Sequence, residues 1–329
     1  MGVRAPMTGQ PKVKPHGKPF RILTLDGGGS KGIYTVGVLN ELEAHLSNGP
    51  LANSFDLIYG TSTGAIIAAL VALGETADEI TRLYFEIIPC VMRSNTASER
   101  TLSLQKHSER IFGERKFDSF RTKVGIVSTN YHFSRPTIFK SHAAQAFSMQ
   151  KSFKPGFGCT ISEAVLASTA ALPFFLKRDV LLENQGPTAL IDGGFVANNP
   201  TLYAITDAVG ALKVPVEHLH ILSIGVGQYV QADPKMSWFE RKKLNFLKKN
   251  FPVDILEKTL DASAMSTEIL VRFIFENLKY VRINDSYIDN GFATNLLEHD
   301  REKLQRMYQL GRTSFGRQQS AIEILLDAH

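Results

Sequence analysis

Apolar positions along the chain fall into two textures. Short apolar runs bounded by glycine or polar clusters read as buried strands, and apolar residues three and four apart read as helices. Residues 20–25 (FRILTL), 54–59, 123–128, 189–191 and 219–226 carry the strand texture. Ile33, Val36, Leu39, Leu42 and Leu46 mark one side of a helix. Residues 64–73 are apolar on every side, the pattern of a helix enclosed by other elements. Further helices are predicted over 77–88, 161–170 and 200–212. Strands alternating with helices predict an α/β fold whose mainly parallel sheet is covered on both faces.

Beyond about residue 234 the texture changes. Residues 238–251 interleave cations with aromatics, 255–278 and 295–326 read as helices, and 280–283 as a last strand. No proline- or serine-rich linker separates this part, so one domain over 20–329 is expected, more helical from about 235. Residues 1–19 contain Lys12, Lys14 and Lys18 among prolines and glycines and lack an apolar h-region. They are expected to be a flexible basic tail rather than a secretory signal. The longest strongly apolar stretch, 65–73, is too short to span a bilayer, so any membrane contact is expected to be peripheral.

Composition adds a few exclusions. A chain with 43% hydrophobic and 21% charged residues is neither disordered nor of low complexity. Lys+Arg 37 against Asp+Glu 32 leaves +5, too mild to require a DNA or RNA polymer but suited to an anionic ligand or surface. Cys90 and Cys159 are the only cysteines; they make no disulfide framework and match no zinc motif. A reducing, cytoplasmic setting is the expectation.

Three glycine-rich turns carry the candidate chemistry. Gly60-Thr61-Ser62-Thr63-Gly64 is a G-x-S-x-G between a predicted strand and a predicted helix. A sharp turn there lifts the serine hydroxyl out of the sheet, and Gly60 and Gly64 leave room for it. Asp26-Gly27-Gly28-Gly29-Ser30-Lys31-Gly32 also follows a strand and precedes a helix. Its N–H groups suit a phosphate or the oxyanion of a tetrahedral intermediate, with Lys31 adding positive charge nearby. It lacks the Walker A spacing, since no G-K-S/T closes it. Asp192-Gly193-Gly194 follows the apolar 189–191, which places a carboxylate at a strand end, held by a glycine turn. A histidine is the usual base for a serine, but His218, His220, His299 and His329 stand in no compelling context. Asp192 itself is a candidate base.

In order, the 26–32 loop, the 60–64 elbow, Ala167-Ser168-Thr169-Ala170-Ala171-Leu172-Pro173-Phe174-Phe175 and Asp192-Gly193-Gly194 with Asn198-Asn199-Pro200 resemble the patatin-like phospholipase family. The resemblance covers 20–227 by motif. It implies a three-layer α/β/α fold and a Ser–Asp dyad. Ser62 would attack a lipid ester and Asp192 would take its proton. Backbone N–H groups of Gly28 and Gly29, with Gly27 and Ser30 as further candidates, would hold the oxyanion. The 167–175 block would shape the acyl pocket. That chemistry needs no metal and no cofactor. Overall likeness, including the 260–263 and 279–284 blocks, is similar to bacterial phospholipase effectors of antiphage (CBASS-type) defence that a cyclic dinucleotide activates. This implies membrane phospholipid as substrate at the inner face of the membrane. A homo-oligomer is compatible with the sequence.

Two rival readings remain open at this level. The glycine loop also fits a sugar kinase or ATPase of the actin-like class, which would leave Ser62 unexplained. A non-catalytic lipid- or nucleotide-binding module would leave both Ser62 and Asp192 unused. The basic 238–251 segment is read as an interfacial helix or an ordinary surface helix. The polar 92–123 stretch is read as a cap, part of a nucleotide pocket or a solvated excursion.

Overall fold

A computed structural model of the chain describes residues 18–46, 49–147, 152–183, 185–230, 251–289 and 292–326. Nearly all of the expected basic tail and of the 238–251 segment lies outside the described residues. The first half alternates as expected: β1 (Phe20–Leu25), α1 (Gly32–Leu46), β2 (Leu57–Thr61), α2 (Thr63–Leu73), α3 (Ala77–Met92), α4 (Ala97–Phe112) and β3 (Lys123–Asn130). Then come β4 (Arg135–Lys140), α5 (Ile161–Ser168), β5 (Arg178–Leu182), β6 (Gly186–Asp192), α6 (Gly194–Ala197), α7 (Thr201–Thr206) and β7 (Leu219–Ile224). The last part contains β8 (Gln228–Tyr229), α8 (Phe251–Ile274), β9 (Lys279–Ile283), β10 (Ser286–Tyr287) and α9 (Arg301–Leu326).

The main sheet runs β5-β6-β3-β2-β1-β7-β9, with β4 also paired to β3. From β3 to β9 every pairing is parallel, whereas β4, β5 and β6 make antiparallel pairs. Strand periodicity sends alternate residues to opposite faces. Leu23, Leu25, Ile58, Leu222 and Ile224 join a core beneath α1 to α5 and α9. Ile22, Leu57, Tyr59, Leu219 and Ile221 join a second core beneath α6, α7 and Val271 of α8. Helices therefore cover both faces, giving the three-layer α/β/α arrangement.

Some boundaries differ from expectation for local reasons. The strand read over 54–59 starts at Leu57, because Leu51–Asn53 forms a 3-10 turn in front of it. The helix read over 200–212 is regular only to Thr206 and then widens into a π turn, Asp207–Ala211. The helix read from 295 starts at Arg301, after loop residues 292–300, and the one read over 255–278 spans 251–274. Residues 92–123 hold α4, whose start is fixed by a capping box between Thr96 and Glu99.

Candidate active site

The C-terminal ends of β1, β2 and β6 converge on one spot. β2 leads into Ser62 and straight on into α2. Ser62 has φ 53° and ψ −124°, a conformation that L residues rarely adopt. Its strain is sustained by close backbone approach on either side. A Cβ on Gly60 would collide with the carbonyl of Gly64, and one on Gly64 with the carbonyls of Leu25 and Asp26. The Ser62 N–H donates to Ser168 Oγ at 2.9 Å, and Ser168 Oγ donates to the Val127 carbonyl at 2.5 Å. The 167–175 block thus braces the turn as well as lining the pocket.

Ser62 Oγ, partly exposed, donates to Asp192 Oδ2 at 2.6 Å. Asp192 Oδ1 accepts the Gly194 N–H at 2.7 Å, and the Asp192 carbonyl accepts from Thr129 Oγ1 at 2.8 Å. Gly193 lies so close to Val127 that a Cβ there would strike its carbonyl. Both carboxylate oxygens therefore have fixed partners. Burial pushes the Asp192 carboxyl up to about 7, against the lowering effect of the Ser62 and Gly194 hydrogen bonds. A carboxylate poised near neutrality can accept a proton and return it.

The glycine loop lies beside Ser62. Gly27 N–H donates to the Asn198 carbonyl at 3.1 Å, and Ser30 N–H donates to the Leu296 carbonyl at 3.0 Å. Those two groups are engaged and do not serve a ligand in this arrangement. Among the described residues Gly28 and Gly29 have no such N–H partner, and both line the pocket with Ser62 and Asp192. Lys31 also departs from its expected place near a bound anion. Its buried ammonium pairs with Glu257 at 2.5 Å, with Asp261 at 4.0 Å, both on α8. Burial opposes its charge, but the two carboxylates outweigh this and raise its pKa. Asp26 is bound in turn by Arg282 of β9, Nη1 to Oδ1 at 2.9 Å and Nη2 to Oδ2 at 2.5 Å.

The pocket takes in about 560 Å³ of empty space, part of it open to solvent. Away from Ser62 its walls are apolar: Ile88, Val91 and Met92 from α3, Leu104 from α4, Phe175, and Leu256 and Leu260 from α8. Phe174 is absent from that lining and packs against the cluster formed by Val253, Leu256 and Leu296. Among the described residues no histidine hydrogen-bonds to Ser62 or Asp192. His220 is buried against the Leu325 carbonyl at 2.5 Å, and His299 sits on an exposed turn. The parts that sequence reasoning missed are Glu257, Asp261 and Arg282, which hold the glycine loop from far along the chain. Only the apolar spacing around Leu256 and Leu260 hinted that α8 faces inward.

Comparison with known proteins agrees with this geometry. The family model described as "Patatin-like phospholipase" matches residues 23–205. A "cUMP-AMP-activated phospholipase" of Escherichia coli is 42% identical over 306 residues, 93% of each chain. "Patatin-like protein 4" of Arabidopsis thaliana is 28% identical, covering 88% of this chain and 84% of its own. A "cGAMP-activated phospholipase" of Escherichia coli (strain TW11681) is 28% identical over 66% of this chain and 65% of its own. With a family model spanning more than half of its residues and a relative similar along nearly its whole length, the chain belongs to the patatin-like phospholipase family.

Proposed function

We propose that the protein hydrolyses acyl esters of membrane phospholipid through a Ser62–Asp192 dyad, and that a cyclic dinucleotide switches it on. The observation that carries the chemistry is the 2.6 Å hydrogen bond from Ser62 Oγ to Asp192 at one end of an apolar pocket. An acyl chain fills the pocket and its ester carbonyl lies at Ser62. As Oγ attacks the carbonyl carbon, its proton passes to Asp192. The N–H groups of Gly28 and Gly29 hold the oxyanion, at the start of the 3-10 turn that leads into α1. Collapse breaks the ester C–O bond, and the leaving alcohol takes the proton from Asp192. Water then attacks the acyl-enzyme with Asp192 again as base, releasing fatty acid and free Ser62. Gly60 and Gly64 shape the elbow, Gly193 and Gly194 set Asp192, and Lys31 anchors the loop rather than the substrate. The step needs no metal or cofactor.

Control by a cyclic dinucleotide is supported by the name of the 42% identical relative. Among the described residues no helix is long and apolar enough to cross a membrane. Contact with lipid is therefore proposed to be peripheral, at the cytoplasmic face.

The test is fatty-acid release from vesicles containing anionic phospholipid, with and without cyclic UMP-AMP. Wild type should be stimulated by the nucleotide. Ser62→Ala and Asp192→Asn should each lose at least about a thousandfold while remaining folded. Full activity in Ser62→Ala would overturn the dyad. Activity that ignores a panel of cyclic dinucleotides would overturn the switch alone.

A further inference from the structure

Three residues that wall the pocket each have an exposed apolar neighbour on the same segment. Leu104 of α4 lines the pocket while Leu102 is 54% exposed. Phe175 lines it while Leu176 is 48% exposed, and Leu256 of α8 lines it while Ile255 is 51% exposed. Single exposed leucines on a surface need no explanation. The segments that carry these three meet at Phe174. Its side chain packs against Val253 and Leu256, and its carbonyl accepts from Arg100 at 3.4 Å. Two residues on, the Leu176 N–H donates to Thr101 Oγ1 at 2.9 Å.

Each exposed residue also has a cation beside it in the chain. Arg100 precedes Leu102, Lys177 follows Leu176, and Lys258 lies one helical turn after Ile255. Among the described residues none of the three pairs with a carboxylate; Lys177 rests over the Tyr131 ring at 5.3 Å. Exposed apolar side chains with cations close by in the chain, none of them paired with a carboxylate among the described residues, match a bilayer surface, where hydrocarbon lies below a layer of anionic headgroups.

We propose that Leu102, Leu176 and Ile255, with Arg100, Lys177 and Lys258, form the rim on which the protein sits on an anionic phospholipid bilayer. This rests on the hydrolase reading for its purpose, because it places the mouth of the acyl pocket against the membrane that holds the substrate. A lipid chain then passes from bilayer to pocket with little exposure to water.

The binding test is made in the Ser62→Ala protein, so that vesicles stay intact whatever the chemistry. Leu102→Ser, Leu176→Ser and Ile255→Ser together should weaken flotation with phosphatidylglycerol vesicles by at least about tenfold. Lys177→Gln with Lys258→Gln should flatten the salt dependence of binding, and this milder pair serves if the triple variant does not fold. A control pair near the other end of α8, about 20–27 Å along the helix from Ile255, Ile269→Ser with Phe273→Ser, should bind as the parent does. Unchanged flotation in the rim variants overturns the proposal, as does loss confined to the control pair. Sedimentation showing an oligomer that only the rim substitutions dissociate also overturns it, since the rim would then join copies of this chain. If the rim variants lose vesicles while wild type releases no fatty acid even with a panel of cyclic dinucleotides, the rim stands and the hydrolase reading falls.

Discussion

Asp192 carries the strongest conflict between stability and chemistry. Its carboxyl is pushed up to about 7 because burial penalises the anion more than its two hydrogen bonds favour it. A base must be unprotonated to work, so hydrolysis should rise with pH through about 7 and level off above it. A profile of kcat/KM that is flat from pH 5 to 9 would contradict this (about this range Asp192 passes from mostly protonated to mostly ionised). A raised carboxyl pKa also means that the folded protein holds this proton more tightly than the unfolded chain. Its contribution to stability is therefore full below about 4, the unfolded value, and is lost as pH rises through about 7. Asp192→Asn should accordingly melt higher than wild type at pH 8, with the gain shrinking toward pH 4 (about the unfolded pKa). Ser62 and Asp192 were legible in the sequence because each sits in its own short glycine-flanked motif. Arg282 was not, because its partner Asp26 lies 256 positions away and no local pattern encodes the pair.

At the scale of elements, the turns that present the site depend on backbones passing where a side chain would not fit. Gly64→Ala would drive a Cβ into the carbonyls of Leu25 and Asp26, both backbone and unable to yield cheaply. The expected result is a loss of about 2–4 kcal/mol in urea denaturation together with loss of hydrolysis, because β1 and α2 must separate. Gly316 provides the contrast. It lies inside α9 with nothing within 4 Å of an added Cβ, so Gly316→Ala should raise stability by about 0.5–1 kcal/mol through helix propensity alone. The same distinction explains which elements the sequence disclosed. Central strands such as β1 and β2 are mostly apolar because both faces are covered, with only Arg21, Thr24 and Thr61 interrupting them, and they stand out. β4 and β5 are partly exposed, with arginine or aspartate among their residues, so their runs resemble loops. The π turn at Asp207–Ala211 was hidden because tertiary contacts fix it: Asp207 accepts from Tyr59 and Gln145 and pairs with Lys140.

Across the whole molecule, the C-terminal third completes the catalytic layer. The family model ends at residue 205, yet β7 and β9 extend the sheet beyond β1, and α9 packs on α1 so closely that Gly37 and Gly311 leave no room for a Cβ. The glycine loop is fastened to this third at both ends, by Arg282 on Asp26 and by Glu257 and Asp261 on Lys31. The absence of a linker led to the expectation of one domain, and these buried pairs give that expectation a mechanical test. Arg282→Met would leave the Asp26 carboxylate buried without its cation, at a cost of about 3–5 kcal/mol. Asp26→Leu with Arg282→Met removes both charges and should recover part of that loss. If residues from β1 to α9 unfold as one unit, far-UV circular dichroism and tyrosine absorbance should report a single coincident urea transition in wild type and in both variants, shifted but not split. A second transition in Arg282→Met, with a native-like fragment surviving past the first, would instead show that β9 and its neighbours fold apart from the motif-bearing part. Control of the glycine loop from the C-terminal third would then act across a domain boundary rather than through one continuous sheet.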